Sequence, residues 1–200
     1  MLLRLEDRML LAIVEHDKGE LFAGISRMCG STGASVVMAK GTASNKLLYM
    51  LGLGSEKRDV VLTVTDEKTA VKIVNEAKKS NIRGVSAYIG KGDDDMDTQW
   101  KLITIIVNAG YADDVMDVAR KAGASGGTVT HARGTSKQTE DSRFLNINIV
   151  PEKDMIMIIA KNDETEKIIN SVTSMKCLQE PGVGVVFTQD VKYFDVLGDS

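Results

Sequence analysis

The residues best suited to chemistry in this chain cluster in two glycine-rich stretches. The first, Gly126-Gly-Thr-Val-Thr-His-Ala-Arg-Gly-Thr-Ser-Lys-Gln138, sets Arg133 and Lys137 on either side of Gly134. Gly126 and Gly127 permit a tight turn ahead of a strand, and Gly134 lets the backbone leave that strand into a loop bearing Lys137 and Arg143. The second, Glu180-Pro-Gly-Val-Gly184, precedes another apolar run. Exposed amides at such turns can cradle a phosphate or carboxylate, with Arg or Lys supplying charge. The bland alternative is two hairpin turns that hold no ligand.

Other chemistries find little support. The two histidines, His16 and His131, have no Cys, His or paired carboxylate at metal-ligand spacing; the expectation is a structural or solvated role for His131 and a surface position for His16. There is no GxSxG, HExxH, CxxC or Walker-type loop. Asp93-Asp94-Asp95-Met96-Asp97 lacks the spacing, central glycine and distal glutamate of a calcium loop and reads as a solvated linker. The expectation is therefore no enzyme, no metal site and no catalytic residue.

Charge and composition narrow the partners. A formal charge of −3 argues against unspecific attraction to nucleic acid or anionic membrane. Aromatics are only 4% of residues, and the strand-like runs 60–64 and 155–159 contain none on which bases could stack. No run is long and apolar enough to span a bilayer, and the charged N-terminal segment is no signal peptide. Cys29 and Cys177 accordingly read as reduced, buried thiols in a cytoplasmic protein.

The elements that must position these turns follow from an internal repeat. Residues 33–42 match 126–135 at a constant offset of 93, with Gly30 on Gly123 and Ile13-Val14 on Ile106-Val107. Lys72–Asn75 matches Lys167–Asn170, and Arg58-Asp59 matches Lys153-Asp154, at an offset of 95; Gly84-Val85 matches Gly182-Val183 at 98. The offset grows only in expected loops, where insertions are tolerated.

Each copy reads strand, helix, strand, strand, helix, strand. Strands are expected at 9–14, 35–40, 60–65 and 85–89, then at 102–107, 128–133, 155–160 and 183–188. Helices are expected around Leu21, Phe22, Ile25 and Met28, around 111–122, at 67–79 and at 163–175. Gly30 and Gly123 sit where a helix-ending glycine belongs. Residues 144–150 alternate and could lengthen the sheet.

The expected fold class is α+β: two tandem ferredoxin-like (βαββαβ) domains, each an antiparallel sheet with its helices on one face. The boundaries are 1–92 and 100–200, joined by a linker at 93–99. Strands such as 155–159 are apolar on both faces, which requires cover by the other domain or another chain.

Residues 114–123, the Gly127–Gly134 segment, the 144–159 return with Pro151, and Val183–Phe187 together resemble the PII nitrogen-regulatory signalling proteins. The resemblance covers about residues 100–190 and reaches residues 9–90 through the repeat. It implies an oligomer, commonly a trimer, that binds adenine nucleotides in clefts and docks a long T-loop onto a regulatory target protein. Arg133, Gly134, Thr135, Lys137 and Gln138 then fall at the T-loop base, and Gly182 and Gly184 at the phosphate-binding B-loop. Val185 stands where the family has a lysine, and the loop 135–143 carries no tyrosine. The expected function is a regulator binding a small anionic metabolite or nucleotide at intersubunit or interdomain clefts and presenting a loop to its partner. Two alternatives remain open: an oligomerisation protein that binds no ligand, and an acylphosphatase-type hydrolase. The latter would need an arginine loop after the first strand, where the second copy has Asn108-Ala-Gly-Tyr111.

Overall fold

The computed structural model describes residues 8–42, 55–90, 99–133, 143–144, 147–148, 152–179 and 184–198. Its first half holds β1 (Arg8–Glu15), α1 (Gly19–Met28), β2 (Ala34–Thr42), β3 (Ser55–Thr65), α2 (Glu67–Lys79) and β4 (Gly84–Ile89). Its second half holds β5 (Trp100–Asn108), α3 (Ala112–Ala122), β6 (Gly127–Arg133), β7 (Arg143–Phe144), β8 (Ile147–Asn148), β9 (Glu152–Lys161), α4 (Asn162–Thr173), α5 (Lys176–Gln179) and β10 (Val185–Leu197).

Local chemistry sets the boundaries. Asp66 caps α2 by accepting the Thr69 amide at 3.0 Å and the Thr69 hydroxyl at 2.8 Å. Beyond α1 and α3 the chain turns at Gly30 (φ +109°) and Gly123 (φ +122°), conformations that glycine adopts without a Cβ penalty. The strands draw on Val, Ile and Thr, whose branched side chains suit a pleated surface.

Eight strands close into one antiparallel barrel in the order β1-β3-β2-β6-β9-β5-β10-β4. The first-half strands run β4-β1-β3-β2 and the second-half strands β10-β5-β9-β6, so each half places its strands fourth, first, third, second. The halves meet at two seams. At one, Lys40, Gly41 and Thr42 pair with Val129, Thr128 and Gly127. At the other, Val191–Leu197 of β10 pairs with β4, while Val185–Val191 of the same strand pairs with β5.

Three apolar layers result. Leu10, Phe22, Ile25, Val61 and Ile73 pack α1 and α2 on the outside of the first half. Ile103, Ile105, Val115, Met116, Ile156 and Ile168 do the same for α3 and α4 in the second. Leu11, Ile13, Val60, Leu102, Met157 and Val191 fill the barrel, where the Trp100 and Phe194 rings lie 4.8 Å apart. Side chains therefore occupy the interior, as expected for eight strands. The doubly apolar strands are explained by this closure: the face away from the helices is covered by the opposite half.

Several expectations need correcting. In α1, Phe22 and Ile25 are buried, but Leu21 and Met28 are exposed. The last strand is 13 residues long and runs on to Leu197, because it serves two neighbours. Arg143–Phe144 and Ile147–Asn148 pair with each other as a separate two-stranded sheet and do not extend the barrel. Cys29 is a free thiol, half-buried rather than buried, and the Cys177 side chain lies outside the described set. Residues 93–98 of the expected linker also lie outside it. Among the described residues no helix is long and apolar enough to cross a membrane.

The tail of β10 is tied to α2 by polar contacts. Glu67 accepts from the Tyr193 hydroxyl at 2.6 Å and Lys192 Nζ at 2.9 Å, and Lys78 pairs with Asp195 at 2.7 Å. The Tyr193 and Lys192 hydrogen bonds hold the Glu67 carboxyl below its usual range, and the Thr69 amide does the same for Asp66. A carboxyl with a lowered folded pKa adds stability above its unfolded value and loses it as pH falls through the folded one. Melting temperature should therefore drop below about pH 4.5, and Glu67→Gln should show a shallower acid decline. Parallel declines for Glu67→Gln and the parent chain between pH 6 and 3 would remove Glu67 from this account.

Candidate functional site

Two of the residues expected to bind ligand are described. Arg133 is the last residue of β6, paired with Glu152 at the point where the 134–142 segment begins. Gly184 immediately precedes β10; a Cβ there would lie 2.0 Å from Leu178 Cδ2 and 3.2 Å from the Ile106 carbonyl oxygen, so any larger residue would have to displace the Leu178 side chain. Both stand at the same end of the β6-β9-β5-β10 run but on opposite edges of it. Three strand spacings separate them, up to about 14 Å. Gly134, Thr135, Lys137, Gln138 and Gly182 lie outside the described residues.

The structure also draws together residues the sequence reading left apart. Asp59 of β3 and Asp154 of β9 are both buried. Asp59 Oδ2 accepts the Gly19 amide at 3.0 Å, and its Oδ1 lies 3.1 Å from His16 Nδ1. Asp154 Oδ2 accepts the Gly110 amide at 2.9 Å, and its Oδ1 lies 2.9 Å from His131 Nδ1. Each carboxylate thus anchors the turn leading into the first helix of its half and orients one histidine. The two histidines of the chain are both organised in this way.

Both histidines line a single cavity of about 490 Å³ across the β2–β6 seam. Its lining includes the apolar Met38, Ala39, Ala112 and Val129 and the basic Lys40, Lys57 and Arg58. Arg58 is paired with Glu56, whereas Lys40 and Lys57 have no ion pair among the described residues. Gly110, Ala112 and Asp113, at the start of α3, a helix without a side-chain cap, also line it. His131 is 81% exposed and His16 34%; Asp17, itself exposed, lies 3.4 Å from His16 Nε2. Among the described residues no group of three or more His, Cys, Asp or Glu could hold a metal ion.

The sequence reading puts His16 at the surface and His131 in a structural or solvated role, and it misses their aspartate partners. One signal is available: Asp59 and Asp154 occupy matching positions at the 95-residue offset. Two buried-strand aspartates at equivalent places in a repeat call for hydrogen-bond donors at both.

Residues 100–197 match the family described as nitrogen regulatory protein P-II. No curated protein matches the chain. Among solved structures, PII from Arabidopsis thaliana bound to citrate is 25% identical, covering 48% of this chain and 77% of that one at a TM-score of 0.38. CPII from Thiomonas intermedia K12, bound to ADP and bicarbonate, is 18% identical, covering 50% and 89% at 0.35. A PII-like signalling protein from Thermus thermophilus is 17% identical, covering 52% and 94% at 0.34. TM-scores this low carry no argument; the family match stands by itself. The chain is a PII-like protein, with the likeness carried by residues 100–197.

Proposed function

We propose that this chain is a cytoplasmic signal-transduction protein built from two linked copies of one βαββαβ unit, residues 1–92 and 100–200. It acts by binding a small anionic ligand and presenting the loop at 135–143 to a regulatory target protein. The observation that carries this reading is the P-II family match over residues 100–197. Arg133, Gly134, Thr135, Lys137 and Gln138, with Gly182 and Gly184, are the residues that contact this ligand. An adenine nucleotide is the first candidate ligand, with citrate the second, after the ADP and citrate bound by two of the similar proteins.

Two features support the duplication. Each half orders its strands identically, and the two buried aspartates sit at matching positions. Arg133 and Gly184 stand on opposite edges of their half, so a ligand touching both turns calls for a neighbouring chain between them. The reading therefore includes a homo-oligomer. Ligand binding shifts the population of loop conformations, and the partner reads the change.

A thermal-shift series with ATP, ADP, 2-oxoglutarate and citrate tests it. At a hundredfold excess over Kd, a ligand adds about 2.7 kcal/mol, which for a chain of this size raises Tm by roughly 5–10 °C. Lys137→Ala should abolish the shift with ATP and ADP while leaving the unliganded Tm unchanged. Absence of a shift with all four compounds favours a chain that only builds an oligomer.

A further inference from the structure

The cavity on the β2–β6 seam is lined by neither Arg133 nor Gly184, and its walls come from both halves of the chain. It has the size of a small-molecule pocket. A purely structural seam would be expected to close on apolar contacts, yet this one includes Lys40 and Lys57 in the lining of a largely apolar hollow. Asp154 is already engaged by the Gly110 amide and His131, and Arg58 by Glu56. What remains is two lysines against the carboxylate of Asp113, with the uncapped start of α3 adding further partial positive charge.

The histidines add oriented ring nitrogens. A carboxylate on Nδ1 fixes the ring and leaves Nε2 as the outward nitrogen, the arrangement by which proteins aim an imidazole at a ligand. For His131 that nitrogen belongs to a largely exposed ring. The site also lies near the relation between the halves. Continuing the Lys40–Val129 register by two residues sets Met38 opposite His131, and these positions also match at the 93-residue offset of the repeat. Thr130 Oγ1 donates to the Met38 carbonyl at 3.1 Å there, holding the backbones together beneath the hollow.

We propose that this seam cavity binds a small organic anion, a compact molecule with at least two negative charges and an apolar portion. Lys40 and Lys57 hold the charge, while Met38, Ala112 and Val129 cover the apolar part. The ligand bridges the halves where only three residue pairs join them, so its binding strengthens that seam. This inference does not depend on the loop-base site.

Isothermal titration of the full chain at low salt with pyrophosphate and, separately, citrate tests it, the first probing phosphate chemistry and the second carboxylate chemistry. Saturable binding of either is expected. Lys40→Ala with Lys57→Ala should weaken it at least tenfold, and Met38→Glu, at a position 77% exposed, should weaken it similarly by adding a like charge. Lys137→Ala should leave it unchanged. Absence of saturable binding by both probes overturns the proposal, as does binding that survives the double lysine variant. Binding lost in Lys137→Ala alone also overturns it, by moving the anion to the loop base.

Discussion

Gly84→Ala is expected to melt about 10 °C below the parent chain, a loss on the order of 4 kcal/mol. Gly84 opens β4 at φ +148° and pairs with Val14. A Cβ there would stand 2.1 Å from the Ile13 carbonyl oxygen and 2.9 Å from Val14 Cα, both backbone atoms of the neighbouring strand. Neither can withdraw without parting β4 from β1. Gly30→Ala makes the control, because Gly30 also has positive φ but a Cβ would meet nothing within 4 Å. It should lose only about 1 kcal/mol, from backbone strain alone. Equal losses for the two variants would show that the close approach of β1 contributes nothing.

Asp154→Ala is the second large effect, with an expected loss of about 3 kcal/mol in urea unfolding. The substitution strands the Gly110 amide and removes the His131 partner from a buried position. Gly110 has φ +97°, so the carboxylate holds a turn that most sequences would not adopt unaided. Asp154→Asn keeps an acceptor for Gly110 and should cost less than half as much. His131→Ala, at an exposed ring, should cost little. Were His131→Ala as damaging as Asp154→Ala, the histidine contact rather than the backbone anchor would be the stabilising element.

The order of elements was legible because it is written in local periodicity. Glu67–Lys79 announces itself by an Asp cap, buried Ala70, Ile73, Val74 and Ala77, and a lysine-rich end, and the observed helix has the expected bounds. Barrel closure was not legible. It depends on which edge strand meets which, and Lys40 and Val129 are far apart in the chain with nothing in their side chains to announce the pairing. The same limit explains β10. Residues 191–197 mix Val, Tyr and Phe with Lys and Asp, because one face enters the barrel and the other contacts α2 through Lys192, Tyr193 and Asp195. That pattern resembles a tail until both neighbours are known. At the candidate site, Arg133 and Gly184 were legible as turn chemistry, whereas the meeting of His16 with Asp59 and of His131 with Asp154 exists only after the sheet has formed.

The double engagement of β10 bears on how the molecule is made. While the ribosome extends the chain, the first half can assemble its four strands, but β2 waits for residues 127–129 and β4 for residues 191–197. Until β10 leaves the exit tunnel, the nascent protein therefore carries two open sheet margins, each able to recruit a stranger's strand. Strand β10 is the piece that shuts both the second half and the last gap in the ring.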